Sequence, residues 1–366
     1  MKRFILCVML AGVAIVHAAP DNGAHNAIHL LFNGQIDAAD SVLTLGMKNS
    51  PQNPEFFFLK AQYAFYMRYF SPTPVGRDSM LNIIVSYGEK AVEIGKKAQQ
   101  TIDTKFYIGS AYGLLSRAYI MQGKLWEGYW AASDCENFLE DVLDEDPGYA
   151  DAKIGLGVLE YYPSRLNGFQ AFIAWAGGFG GNAEKGLAYF EEASKNGNLL
   201  KTEADFILAT LNRFIIVDFN KADNYFARLN QHYPGNNWIA NQYHQTQLAH
   251  TIDADGVDFF IAEFDSLRSV YNINTSNIMN GLGYNFMGLQ RYEIAEPLFL
   301  FNIQQFPAEA NPYDSMSECY ENMGEKEKSL SYARQGLHKL ETDPVLNEAF
   351  RQNLKTILED RIARME

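Results

Sequence analysis

A chain of 366 residues that is 47% hydrophobic and 20% charged is too apolar for wholesale disorder, and long enough for one large or two ordinary domains. Its formal net charge of −14 argues against nucleic acid or anionic headgroups as partners, because phosphate binding relies on clustered Lys and Arg. Three cysteines are too few for a dense disulfide framework.

In chain order, residues 1–19 read as a secretory signal. Met1-Lys2-Arg3 precedes the apolar run "FILCVMLAGVAIV" and then "HAAP", which places cleavage near Ala18 or Ala19. Cys7 follows Ile5-Leu6 inside that run, so a lipid anchor is not expected. Cleavage would remove Lys2 and Arg3 and leave a more acidic chain. No later window offers the roughly 18 apolar residues of a spanning helix. The expected product is an exported, soluble protein of the periplasm or cell envelope, with at most peripheral envelope contact.

Residues 20–160 and 183–342 carry a recurring pattern. Ala39, Leu43, Gly46 and Pro51 form one instance, and Cys135, Leu139, Val142 and Pro147 a second, followed by Leu156-Gly157. Gly186, Phe190 and Ala193 form a third, and Ala222, Phe226, Leu229 and Pro234 a fourth. Leu282-Gly283, Phe286, Tyr292, Ala295, Phe299 and Pro307 give the fullest unit. In the next 34 residues Met316-Ser317, Tyr320, Gly324, Ser329 and Ala333 fall at matching offsets. Residues three and four apart share a helix face, so Ala295, Phe299 and Asn302 line one side of a helix, with the small residue admitting a neighbour. Pro307 stops that helix; Pro297, about one turn inside it, is expected to cost little. The stretches 55–101 and 238–273 are helical by periodicity but fit the pattern poorly. Residues 343–366 predict a polar cap with Leu346, Phe350, Leu354 and Ile357 on one face. Cys135 and Cys319 fall on helix faces and read as buried free thiols.

These residues resemble the tetratricopeptide repeat (TPR) family. The resemblance implies an all-α fold: a right-handed α-solenoid of about seven TPR-like helix hairpins with a C-terminal capping helix. It further implies that the first helix of each hairpin lines a concave groove. The ligand-facing positions are then Asn277, Asn280, Tyr284 and Met287 in one unit, and Asn311, Asp314, Glu318 and Glu321 in the next. Members that clamp a C-terminal carboxylate use basic residues and asparagine at such positions. The basic ones are lacking here, so a basic or neutral segment is the expected partner.

The segment 161–182, "YYPSRLNGFQAFIAWAGGFGGN", interrupts the pattern. With the stretch after it, this segment resembles one in exported bacterial TPR proteins of unknown function. Tyr161, Tyr162, Arg165, Phe169, Phe172 and Trp175 are its candidate binding residues. Its aromatics either pack as a satellite core or form a lid over the groove.

His25 and His29 share a helix face but lack further ligands, so no metal is expected. No nucleophile elbow, P-loop or dinucleotide fingerprint is present, and no cofactor is implied. The sequence therefore predicts a non-enzymatic adaptor of the bacterial cell envelope that binds a protein or peptide segment. The alternative is a binding protein for a lipid, glycan or other small ligand, closed by the 161–182 segment.

Overall fold

The computed structural model describes residues 23–70, 74–165, 178 and 180–366. The leader at 1–19 lies outside them. The chain divides into two compact units, Met1–Asn182 and Ala183–Glu366. In the first stand α1 (Gly23–Phe32), α2 (Ile36–Asn49), α3 (Pro54–Phe70), α4 (Pro74–Lys97), α5 (Ile102–Met121), α6 (Leu125–Glu145) and α7 (Ala152–Tyr161), with a 3₁₀ turn at Pro163–Arg165. The second begins with α8 (Ala183–Asn196), α9 (Lys201–Leu211), a π-turn at Asn212–Ile216, α10 (Phe219–His232) and α11 (Asn237–Asp255). It continues with α12 (Val257–Ala262), α13 (Phe264–Tyr271), α14 (Ser276–Gly288), α15 (Tyr292–Gln305), α16 (Asn311–Met323), α17 (Lys326–Lys339) and α18 (Glu348–Met365). Among the described residues there is no strand, and no helix is long and apolar enough to cross a membrane.

Successive helices pack as hairpins, α1 on α2, α3 on α4 and α5 on α6 in the first unit, α14 on α15 and α16 on α17 in the second. Gly34, Gly123 and Gly324 make three of the tight turns with positive φ, and Gln290 takes the same left-handed conformation between α14 and α15. Small residues mark where the helices cross. Ser317 Oγ donates to the Ser329 carbonyl at 2.8 Å, and Ser329 Oγ returns a 2.8 Å bond to the Ser317 carbonyl. In α5–α6, Ser116 Oγ donates to the Gly128 carbonyl at 2.8 Å across the same twelve-residue separation. Where the crossing residue is Gly283, the bare backbone admits Phe299: a Cβ there would stand 2.4 Å from the ring.

That crossing corrects the sequence register in α5–α6. The pattern centred on Cys135, Leu139 and Val142 is real packing, all three residues being fully buried. It lies farther along α6, where Gly109 and Gly155 receive Leu139. The reason is length: α5 and α6 run 20 and 21 residues against 13 and 14 for α14 and α15. The same cause explains 55–101, whose helices α3 and α4 have 17 and 24 residues. In 238–273 the misfit is a break, since Gly256 with φ 92° ends α11, and two short helices, α12 and α13, follow.

Pro297 stands where expected, about one turn inside α15, but not without the loss of a bond. It is the sixth residue of α15, so the N–H it lacks would have met the Glu293 carbonyl, and one helical bond is forgone. The tolerance comes from packing on both sides of the proline, where Ala295, Leu298 and Phe299 are fully buried.

The terminal helix buries Leu354 and Leu358 against Ala310, Ala333 and Leu340. Phe350 and Ile357, expected on that face, stay 42% and 38% exposed. Asp343 accounts for the shift. Its carboxylate accepts the Val345 and Leu346 amides and the Ala310 amide, so Leu346 precedes the helix and does not set its phase. Helix α18 starts only after Asn347, whose side chain caps the Phe350 amide at 2.9 Å.

Cys135 and Cys319 are free and buried. Burial pushes the Cys135 thiol up to about 12 and the Cys319 thiol up to about 11, from 9.0. A group whose folded pKa is raised contributes stability below its unfolded pKa and loses it as pH climbs toward the folded value. Stability should therefore fall above pH 9, with Cys135 contributing about 2 kcal/mol of loss by roughly pH 10.5. Urea midpoints at pH 8 and about 10.5 for wild type and Cys135→Ala check this, the variant losing less.

Candidate binding face of the C-terminal unit

The helices α11, α14, α16 and α18 lie side by side, each against the next. Side chains one repeat apart meet along this row. Asn311 Nδ2 donates to Asn277 Oδ1 at 3.2 Å, and the Tyr284 hydroxyl donates to Glu318 Oε2 at 3.0 Å. Both pairs are separated by 34 positions, so the sequence period is a physical contact.

The eight predicted groove residues divide. Asn277 is exposed, and Asn311 and Tyr284 are half-buried. Asn280 is only 4% exposed, turned toward α15, where it accepts from Asn302 Nδ2 at 2.7 Å. Met287 is buried at the far end of α14. Burial thus takes Asn280 and Met287 off the accessible face.

Asp314, Glu318 and Glu321 do come together, but around a cation from the chain itself. Arg361 of α18 pairs with the Asp314 carboxylate, places Nε 3.0 Å from Glu321 and Nη2 3.3 Å from Glu318. Arg364 adds a 3.0 Å bond to Glu321. The acidic patch that pointed to a basic partner is largely compensated in place, with two guanidinium groups against three carboxylates. Charge alone assigns Arg361 to a solvated face of α18, although it stands seven residues after Leu354, a same-face spacing. It instead follows the buried Leu358 by one turn and is itself buried, on the side that packs against α16.

In the first unit, Tyr161 is buried while the adjacent Tyr162 is 44% exposed, their rings edge to face. The Arg165 guanidinium lies 5.5 Å from the Tyr161 ring centre, a packing contact on an exposed side chain. Phe169, Phe172, Trp175 and Phe179 lie outside the described residues. His25 and His29 stand on α1, and no group of three or more His, Cys, Asp or Glu side chains among the described residues is arranged to hold a metal.

One centre on the row was not foreseen. Arg213, in the π-turn after α9, is 2% exposed. Its Nη1 donates to the Gln242 carbonyl at 2.7 Å, Gln242 Oε1 at 2.9 Å and Thr246 Oγ1 at 3.1 Å. Nη2 reaches Gln245 Oε1 at 3.2 Å and, with the carboxamide turned to satisfy both its ends, the Asn285 oxygen at 2.9 Å. Among the described residues no carboxylate pairs with it, and burial pushes the guanidinium down to about 9, still protonated at neutral pH. The turn that holds it is strained: Val217, β-branched, closes the π-turn at φ 64°. Such π-turns often sit at functional sites. The sequence signal was thin, a single "NR" inside the apolar stretch "LATLNRFIIV".

No protein-family model matches the sequence, and no curated protein matches it. Similarity extends to solved structures. Yeast Tom70 is 11% identical over 93% of this chain and 73% of that one, with a TM-score of 0.31. A chain of the APC/C hetero-tetramer Cut9-Hcn1 is 11% identical over 93% and 64%, with a TM-score of 0.35, so this chain spans slightly under two thirds of it. The TPR domain of P58(IPK) is 14% identical over 94% and 98%, with a TM-score of 0.25. The fold is evident in the hairpins themselves, with their 34-residue contacts and small-residue crossings. They are helical hairpins that repeat at a 34-residue spacing. Stacked side by side, they make the C-terminal unit an α-solenoid closed by α18.

Proposed function

We propose that this chain is a non-enzymatic scaffold of a bacterial cell envelope, binding an extended partner segment along the first-helix row of its C-terminal unit. The observation that carries this reading is the amide ladder from Asn277 to Asn311. It offers carboxamide donors and acceptors at the repeat spacing, in the first turns of α14 and α16. An extended segment has unpaired backbone groups that such a ladder can meet, while the stacked helices hold it rigid. The envelope location rests on the leader-like residues 1–19.

The test is a mild cross-linked pull-down from the envelope fraction with the full chain. A discrete protein partner recovered by wild type and by Lys326→Glu, on the opposite helix α17, but lost with Asn277→Arg plus Asn311→Arg, supports the proposal. Recovery of no protein, or equal recovery by the arginine variant, overturns it.

A further inference from the structure

A buried guanidinium without a counter-ion is costly to keep, because burial penalises the charge and only dipoles and the Phe214 ring, 4.7 Å from the guanidinium carbon, repay it. The dipoles around Arg213 are unevenly shared. Nη1 has three acceptors at 2.7–3.1 Å. Nε has none, although it is buried, and its neighbour Nη2 is held by the ends of two surface carboxamides, Gln245 and Asn285. The under-satisfied edge is thus the Nε–Nη2 edge. That edge presents two parallel N–H groups, the fork that matches the two oxygens of a carboxylate.

The approach to that edge is equally specific. Gln245 comes from α11 and Asn285 from α14, and both are partly exposed. Between them stands Gly281. The atoms nearest to a Cβ added there all belong to the Gln245 carboxamide, whose Oε1 would lie 3.2 Å away. At this point of α14, then, the first obstacle on the side facing α11 is one flexible side chain. Beside it, Phe214, Ile215 and Ile216 of the same π-turn are 43%, 44% and 37% exposed, an apolar rim next to the buried cation.

We propose that Arg213 is a carboxylate-binding site: an acidic group of the bound partner displaces the Gln245 carboxamide and bonds bidentately to Nε and Nη2. Its neighbouring apolar residue then rests on Phe214 and Ile215. This deepens the proposed function and rests on the same helix row being the binding face. It also reverses the partner chemistry expected from sequence, since the acidic side chains there are already paired with Arg361.

The experiment uses the full chain labelled with ¹⁵N-arginine and follows the Nε–H resonances by NMR. The Arg213 resonance is the one missing from Arg213→Gln. Two probes separate the sources of a carboxylate: N-acetylglycine carries a chain-end group and N-acetylglutamate α-amide a side-chain group. Acetamide, isosteric but neutral, is the control at matched ionic strength. The Arg213 resonance should shift saturably with at least one probe in the millimolar range, and not with acetamide. Gly281→Val, which blocks the gap but leaves Arg213 in place, should weaken the shift about tenfold or more. No saturable shift in wild type overturns the proposal, as does an undiminished response in Gly281→Val. A positive titration with an empty pull-down would fail the scaffold reading and leave this site standing; the converse would fail only the site.

Discussion

Arg361→Ala should destabilise the C-terminal unit by about 3–5 kcal/mol, the usual cost of removing one partner from a buried ion pair. The Arg361 side chain is 5% exposed and that of Asp314 9%. Truncation leaves the Asp314 carboxylate buried, with Glu318 and Glu321 repelling each other nearby. Most of the loss is thus the penalty of stranded acid groups, so Arg361→Met combined with Asp314→Asn should recover much of it. Urea unfolding of the two variants gives the comparison. Equal midpoints for Arg361→Ala and wild type would show that α18 is not held by this pair. Released, α18 would also free the acidic patch, so the single variant should gain affinity for basic peptides.

The second large effect is expected at the crossing of α14 and α15. Phe299→Ala should cost about 3–5 kcal/mol, because the ring is fully buried and its loss leaves a cavity. Gly283→Ala should cost about 1–3 kcal/mol, although alanine favours a helix by about 1 kcal/mol over glycine. A Cβ at 283 stands 2.4–2.8 Å from three ring atoms of Phe299. The ring has no room to retreat, since Tyr284 packs edge-on against it at 5.4 Å. In the Phe299→Ala background the same glycine substitution should become neutral or stabilising. That coupling, read from a double-mutant cycle, separates a specific crossing from general helix propensity.

What the sequence made legible was the part governed by local spacing. Gly283 against Phe299, and Ala295 with Asn302 on one buried face, follow from helical periodicity and the small-residue requirement at a crossing. The turn glycines and Pro307 mark helix ends for similarly local reasons. Helix length is less local. Nothing in the spacing around Cys135 reveals that α5 and α6 extend beyond the repeat and cross at Ser116 and Gly128 instead. The candidate site was half legible for the same reason. Asn277 and Asn311, one period apart, meet each other, whereas the fate of Asp314, Glu318 and Glu321 depended on Arg361, 40 or more positions away. Arg213 was invisible because its meaning lies in a surrounding of carboxamides and a hydroxyl drawn from α11 and α14, and no spacing along the chain announces that set.

Binding of an extended segment along the first-helix row of the C-terminal unit is tested most directly by selecting a random peptide library on the full chain. The affinities of the enriched peptides are then measured against variants. The expected result is a short shared motif containing an acidic residue, whose binding is lost in Arg213→Gln and in Asn277→Arg and retained in Lys326→Glu. Enrichment of no motif, or of peptides that bind all three variants equally, would contradict it.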